Sequence, residues 1–252
     1  IKQGLVYNNG TPITAADYVA YALVQLSPAT LEAGATINAT TTVGGTAYQK
    51  GESKVLSGVR LIDEYTYSIS IPAEYAQYYY GLTYASLSPL YLPLYSSADL
   101  TVKDDGEGAY LDGGELVADE INASRYVYEG RVAAGPYVIK SLDTGALTAT
   151  LEINPNYAGN FEGQKPSIKT IVIVKAEDDT MMDAFQTGEI TFLSQLSDGD
   201  QIETAMDMVD DGGYSYCHYT RNGYGKIMFQ CDGGPTQFAA VRQAIAYLLD
   251  RE

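Results

Sequence analysis

The chain has 252 residues, of which 46% are hydrophobic and 19% charged, and its formal net charge is −17. This composition excludes a disordered chain and provides enough apolar side chains for one large domain or two smaller ones. The negative charge argues against binding to nucleic acid or to anionic lipid, both of which need clustered Lys and Arg, and no apolar run of about eighteen residues predicts a membrane span.

The first predicted helix follows a turn-forming cluster at residues 8–12. Its start is indicated by Thr14, whose hydroxyl can cap the amide of Asp17, and by Asp17 itself, since a carboxylate is favourable at the positive end of a helix. Pro28 follows the predicted end. One apolar face runs along this helix and comprises Tyr18, Val19, Ala22, Leu23 and Leu26.

Four segments follow in the first half of the chain. Residues 29–57 are rich in Thr, Gly and Ala and predict a surface loop, with room for a short hairpin. Alternating apolar residues at 59–71 predict two strands joined by a turn near Asp63. Residues 75–94 predict a helix followed by an extended segment. The acidic, Gly-rich residues 100–120 predict an exposed loop.

Within that acidic segment, Asp104 and Glu115 have the spacing of the two ends of a calcium-binding loop. Gly106 and Gly108, however, stand where oxygen side chains are needed, and Ala109 replaces the required glycine. We therefore expect a solvated loop and no metal site.

From about residue 132 the pattern predicts alternating strands and helices with a mixed sheet. Residues 136–140 and 147–153 predict an antiparallel pair, and 170–175 a strand covered on both faces. A short helix at 179–186 ends at Gly188, and a strand follows at 190–193. The last helix begins near Pro235. Its residues predicted to face a core are Phe238, Val241, Ile245, Leu248 and Leu249.

The side chains that carry chemistry are few. His218 is the single histidine, and the zinc-protease, serine-hydrolase and phosphate-loop motifs are absent from the sequence. Cys217 and Cys231 form no metal motif, and we expect two buried free thiols, with a disulfide in an oxidising compartment as the alternative. We expect no enzyme activity, no cofactor and no metal.

An ordered series of short motifs carries more information than any single residue. The N-terminal part has residues 9–19, NGTPITAADYV, and the later part has Gly135-Pro136-Tyr137, residues 154–157 (NPNY) and residues 185–190 (FQTGEI). At these spacings the chain resembles the extracellular solute-binding proteins of family 5, the oligopeptide, dipeptide and nickel class that serves ABC importers. Asn9 stands where that pattern usually has Asp, and Ile153 where it usually has Arg.

The resemblance implies an α/β fold of mixed α+β character, a class II periplasmic-binding-protein lobe. Residues 1–132 would form the extra α+β domain that this family adds to the N-terminal lobe, and residues 133–252 part of the main lobe with its mixed sheet. The second lobe would be absent. Because the chain begins at Ile1 without a signal peptide and ends inside a helical pattern, we expect a piece of a longer protein.

The function implied by the resemblance is capture of a peptide by closure of two lobes and delivery to a membrane permease. We expect a monomer outside the cytoplasm, in the periplasm or held to the outer face of the membrane by a lipid anchor outside this sequence. A peptide pheromone receptor and a nickel-, sugar- or haem-binding member are alternatives with the same fold. A hydrolase that uses an acid pair is an alternative of another class.

The candidate ligand-binding residues are Asn222, Gly223, Tyr224 and Gly225, with Tyr7. By resemblance, residues 222–225 precede a strand at 226–230 and present backbone to an extended peptide, an arrangement in which main-chain pairing gives affinity. An ordinary hairpin turn explains these residues equally well. Tyr7 and four further tyrosines are weaker candidates, because packing in the core or on the lobe surface is their simpler explanation; the four are Tyr78, Tyr79, Tyr80 and Tyr84.

Overall fold

The computed structural model describes residues 1–219 and 225–249. Helices and strands occur in groups along the chain, which divides into two compact units, Ile1–Ala176 and Glu177–Glu252. The first unit contains four α-helices and seven strands, and the described residues of the second contain three α-helices.

The first unit begins with the predicted helix α1, Ala15–Gln25. The Asp17 carboxylate accepts a hydrogen bond from the Thr14 amide at 2.7 Å and another from the Thr14 hydroxyl at 3.1 Å, which satisfies a free donor at the helix start. Val19 and Leu23 are fully buried in the main apolar core. The predicted start and apolar face of this helix are therefore confirmed.

The interpretation of residues 29–57 as a surface loop is wrong. The segment forms α2 (Pro28–Glu32), a 3-10 turn (Ala39–Thr41) and α3 (Gly45–Gln49). The Ser27 side chain accepts a hydrogen bond from the Thr30 amide at the start of α2, and the Tyr48 side chain is buried in the main core. The threonines and alanines of this segment are small enough for close packing, so they lie partly inside.

Two antiparallel hairpins pack on α1. The first is the predicted pair β1 (Val59–Asp63) and β2 (Thr66–Ile69). The second, β3 (Thr101–Asp104) and β4 (Ala109–Asp112), lies where we expected a loop, and Ala109 at its turn is fully buried. Arg60 joins the hairpins: its Nε and Nη2 atoms each donate to Asp104 at 2.8 Å.

Residues 73–94 also differ from the prediction. They form three 3-10 turns, Ala73–Tyr75, Gly81–Ala85 and Leu92–Leu94, in place of an α-helix. Pro89 and Pro93 cannot donate backbone hydrogen bonds, and the tyrosines here have low helix propensity. Helix α4, Ala118–Ser124, then buries Ile121 against α2.

A three-stranded antiparallel sheet closes the first unit, in the order β5 (Tyr137–Asp143), β6 (Thr148–Ile153) and β7 (Thr170–Val174). The antiparallel pair around residue 143 is confirmed. The mixed sheet is not observed in the described chain, and β7 is an edge strand whose Val172 and Ile173 are exposed, so the expectation that both faces are covered is wrong.

The second unit contains α5 (Met181–Gln186), α6 (Gly199–Asp210) and α7 (Ala239–Leu248). Helix α5 is confirmed, with Gly188 in the left-handed conformation just beyond its end. Residues 190–193 form no strand. The side chains in and beside α7 that were expected to face a core are exposed or half-buried, and Leu248 is 85% exposed. Cys217 and Cys231 are free thiols, but they are exposed, not buried.

Candidate ligand-binding site

Tyr7 is an interior residue of the first unit. It follows Val6, which forms an isolated antiparallel β-bridge with Pro12, and only 1% of its surface is accessible. Its hydroxyl donates to Asp17 Oδ1 at 3.0 Å, and its ring meets the Tyr91 ring edge-on with centroids 5.4 Å apart. Burial, and then the charge of Asp17, raise the pKa of Tyr7 well above its usual value, so the hydroxyl stays protonated and keeps donating.

Asn8 connects the start of the chain to the segment that returns near the predicted domain boundary. Its Nδ2 donates to the Arg131 carbonyl and its Oδ1 accepts from the Ala133 amide, both at 3.0 Å. The Asn8 amide also donates to the Ala133 carbonyl at 3.0 Å. The Asn8 side-chain amide therefore both donates to and accepts from the backbone, and it joins two segments that are 125 residues apart.

Two further asparagines continue this connection. Asn154, which is buried, donates through Nδ2 to the Gly135 carbonyl at 2.9 Å. Asn156 donates through its Nδ2 to the carbonyls of Tyr7 at 3.3 Å and of Asn8 at 3.0 Å. We call Asn8, Asn154 and Asn156 the asparagine bridge. It connects the backbone of Tyr7 and Asn8 to residues 131–133 and to residues 154–156, and it holds the Gly135 carbonyl in place.

The predicted segment 222–225 lies mostly outside the described residues, because Asn222, Gly223 and Tyr224 are not among them. Gly225 is described and exposed. A Cβ atom added to it would meet nothing within 4 Å, so no described neighbour requires a glycine at this position. Residues 226–230 have no regular secondary structure, and the strand predicted there is not observed.

In residues 1–219 and 225–249, no three His, Cys, Asp or Glu side chains are placed to hold a metal ion. Asp104, one end of the calcium-like spacing, binds Arg60. His218 stacks on the Tyr216 ring with centroids 5.8 Å apart.

The asparagine bridge was missed as a unit by the sequence reasoning. Residues 154–157 were recognised as a motif, but no role followed for their side chains. Asn8 was assigned only to a turn cluster. Its hydrogen-bonding partners lie more than 120 residues away, and no local pattern marks such a contact.

A protein-family model matches residues 1–252, the whole chain, and its description is "Bacterial extracellular solute-binding proteins, family 5 Middle". The chain belongs to this family. No curated protein sequence matches it.

Solved structures of oligopeptide-binding proteins share the fold. The protein OppA from Burkholderia pseudomallei is 19% identical with a TM-score of 0.56, and the match covers 82% of this chain and 36% of that one. Lactococcal OppA, complexed with an endogenous peptide in the closed conformation, is 15% identical with a TM-score of 0.60. That match covers 82% of this chain and 35% of the OppA chain. Haemophilus influenzae OppA, in complex with RPPGFSPFR, is 17% identical with a TM-score of 0.58, and the match covers 83% of this chain and 36% of that one.

These matches confirm the predicted α/β fold class and the resemblance to family 5. The chain spans about a third of the length of the structures that it matches, with 36% covered in the first of them. Among the described residues, no helix is both long enough and apolar enough to cross a membrane.

Proposed function

We propose that this chain is part of a solute-binding protein that captures peptides outside the cytoplasm and delivers them to the membrane permease of an ABC importer. The observation that carries the proposal is the family match over residues 1–252. Family 5 consists of extracellular solute-binding proteins, and the similar folds described above belong to oligopeptide-binding proteins, two of them with peptide bound. Peptide binding by those proteins supports, by analogy, the same ligand class here.

Binding by closure of two lobes is the mechanism that we propose, with no covalent chemistry. Residues 1–132 would form the extra α+β domain, and residues 133–252 part of the main N-terminal lobe. The asparagine bridge supports this division, because it ties the start of the chain to residues 131–133, where the chain would return to the main lobe. Compactness alone divides the chain elsewhere, after Ala176.

For the site, we propose that residues 222–225 present backbone groups to an extended peptide. Gly225 is compatible with this role, since it is exposed and the open space around it leaves its backbone accessible. A glycine permits close approach of a ligand that pairs with the main chain. We propose a supporting role for Tyr7, whose hydroxyl is engaged by Asp17 and whose ring is buried.

The localisation and partners follow from the same family. We propose a monomer in the periplasm, or one held to the outer face of the membrane by a lipid anchor, with a peptide and a permease as its partners. Nucleic acid is not among them, because a net charge of −17 repels phosphate.

Native mass spectrometry of the complete protein, purified from cells grown in rich medium and then denatured, tests the ligand class. A heterogeneous set of short peptides is expected for nutrient capture. A single peptide sequence would instead favour the pheromone receptor. Nickel, a sugar or haem would retain the family and overturn the peptide assignment, and catalytic turnover of an added substrate by an empty protein would overturn the binding function.

A further inference from the structure

Five tyrosines in residues 75–84 form a continuous aromatic surface in the first unit. Their ring centroids lie between 4.8 and 6.0 Å apart, in stacked and edge-on pairs. We call this surface the tyrosine platform. Its members are Tyr75, Tyr78, Tyr79, Tyr80 and Tyr84.

The outer part of the platform is open to solvent. Tyr79 is 89% exposed and Tyr78 is 54% exposed, and the adjacent Leu82 is 89% exposed. Core or lobe-surface packing, the simpler explanation offered by the sequence, stays a prediction for Tyr78 and Tyr79, whose rings contact other tyrosines of the platform and are otherwise open in the described chain. Contiguous exposed apolar surface is uncommon on soluble proteins and marks sites of interaction.

The rings are held in place by the backbone beneath them. The Gly81 amide donates to the Tyr78 carbonyl at 2.9 Å, and the Thr83 amide donates to the Tyr80 carbonyl at the same distance. The Tyr75 hydroxyl is hydrogen-bonded to the Thr40 hydroxyl at 2.8 Å, which ties the platform to the rest of the unit. The surface is thus built before any partner arrives, and little conformational entropy is lost on contact.

The charged residue that the structure shows beside the platform is acidic. Glu74 lies in the same turn as Tyr75, is exposed and forms no ion pair with a described residue. In the sequence, no Lys or Arg stands between Arg60 and Lys103, a stretch that contains all five tyrosines of the platform. The negative faces of the exposed rings and the Glu74 carboxylate therefore favour a cation over an anion.

We propose that the tyrosine platform is a docking surface for an arginine- or lysine-rich segment of a partner polypeptide. Guanidinium and ammonium groups would lie over the exposed faces of Tyr78 and Tyr79, while their aliphatic stems cover Leu82. This surface goes beyond the proposed capture of a solute, because it would hold a segment of a partner polypeptide and not the solute itself. Its expected partner is defined by positive charge, whatever ligand the protein carries.

Fluorescence anisotropy with the complete protein tests the proposal directly. The probe is a fluorescein-labelled peptide of four Arg-Gly repeats, measured at about 0.15 M salt, where exposed charges more than about 8 Å apart are largely screened. A Glu-Gly peptide of equal length is the charge control. We expect saturable binding of the Arg-Gly peptide and none of the Glu-Gly peptide.

Variants separate the platform from the general acidity of the protein. The double variant Tyr78→Ala, Tyr79→Ala should weaken binding by roughly five- to thirtyfold, through loss of two cation–π contacts. Tyr79→Phe should bind like the unmodified protein, since the ring remains. Tyr126→Ala, which removes a tyrosine outside the platform that is 73% exposed in the same unit, should also leave the affinity unchanged.

Three outcomes would overturn the proposal. Equal affinity of the double variant and the unmodified protein would mean that net charge alone attracts the peptide. An equal loss with Tyr126→Ala would mean that no special surface exists. Displacement of the peptide by a neutral oligosaccharide at micromolar concentration would assign the platform to glycans instead. Thermal melting of each variant verifies that the fold is intact.

Discussion

The ion pair between Arg60 and Asp104 provides the strongest quantitative prediction for the stability of the first unit. Asp104 accepts two hydrogen bonds from Arg60 and one each from the amides of Leu61 and Gly106, at 2.8 to 3.0 Å. These contacts, chiefly those from Arg60, lower the pKa of Asp104 from 3.8 to about 2. We expect Asp104→Asn to destabilise the protein, because the neutral amide loses the charge-assisted bonds to the guanidinium.

The magnitude follows from the pKa. A fall from 3.8 to about 2 spans about 1.8 pKa units. At roughly 1.36 kcal/mol per unit this corresponds to about 2.4 kcal/mol of unfolding free energy. Because the Arg60 side chain is 36% exposed, solvent screening reduces the expected value to about 1–2 kcal/mol. The folded state has the lower pKa, so this contribution is present above about pH 5 and is lost as the pH falls from about 4 through 2.

Urea unfolding followed by circular dichroism at pH 7, 4 and 2.5 measures this difference. The matched control is Glu115→Gln, which breaks the pair between Lys54 and Glu115, 3.9 Å apart and highly exposed, and should cost less than about 0.5 kcal/mol. Asp104→Asn should be clearly less stable than this control at pH 7, and its deficit should shrink toward pH 2.5. A cost equal to that of the control, or a deficit that does not change with pH, would refute the reasoning.

Three further substitutions test the candidate site. Tyr7→Phe removes the hydrogen bond to Asp17 and should lower the unfolding free energy by about 1 kcal/mol in urea titrations, while peptide affinity stays within about twofold; a large loss of affinity with unchanged stability would give Tyr7 a direct binding role. Asn8→Ala should cost about 1–3 kcal/mol, since it leaves backbone groups without partners; a cost below about 0.5 kcal/mol would contradict the asparagine bridge. Gly225→Val should weaken peptide binding in calorimetry at least about tenfold, or about 1.4 kcal/mol, whereas Gly233→Val, which also has open space around its Cβ, should not; equal effects would remove residues 222–225 from the proposed site.

The elements that the sequence predicted correctly are those with local signals. Helix α1 has its Asp17 cap and its apolar face within eleven residues. The hairpin of β5 and β6 turns where the Asp143 side chain accepts bonds from the amides of Gly145 and Ala146, both at 2.9 Å. The cap and the apolar face were sufficient to predict the helix, and alternation with turn chemistry was sufficient to predict the hairpin. Both signals are local in the sequence.

The elements that were missed depend on distant contacts. The hairpin of β3 and β4 has an acidic, Gly-rich sequence typical of a loop, and it is stabilised by Arg60, which is 44 residues away from Asp104. The apolar strand β7 suggested burial on both faces, yet strand order in the sheet, which a local pattern does not determine, places it at an edge. The platform was recognised as Tyr-rich, but its exposure depends on how the 3-10 turns fold.

The candidate site was predictable to a smaller extent. The family motifs directed attention to Tyr7 and residues 222–225, of which the structure describes Tyr7 and Gly225. Tyr7 was a weaker candidate for a ligand contact, with packing as the simpler explanation, and it is buried against Asp17 and Tyr91. The asparagine bridge joins residues up to 148 apart, so a single sequence gives no local signal for it.

The central claim is reversible capture of peptides, and titration calorimetry tests it most directly. The complete protein is freed of its ligand under denaturing conditions, refolded and titrated with the peptides recovered from it, which are then weighed again by mass spectrometry. We predict saturable binding with one peptide per protein and recovery of peptides of unchanged mass. No heat of binding, or recovery of cleaved peptides, would contradict a solute-binding function without chemistry.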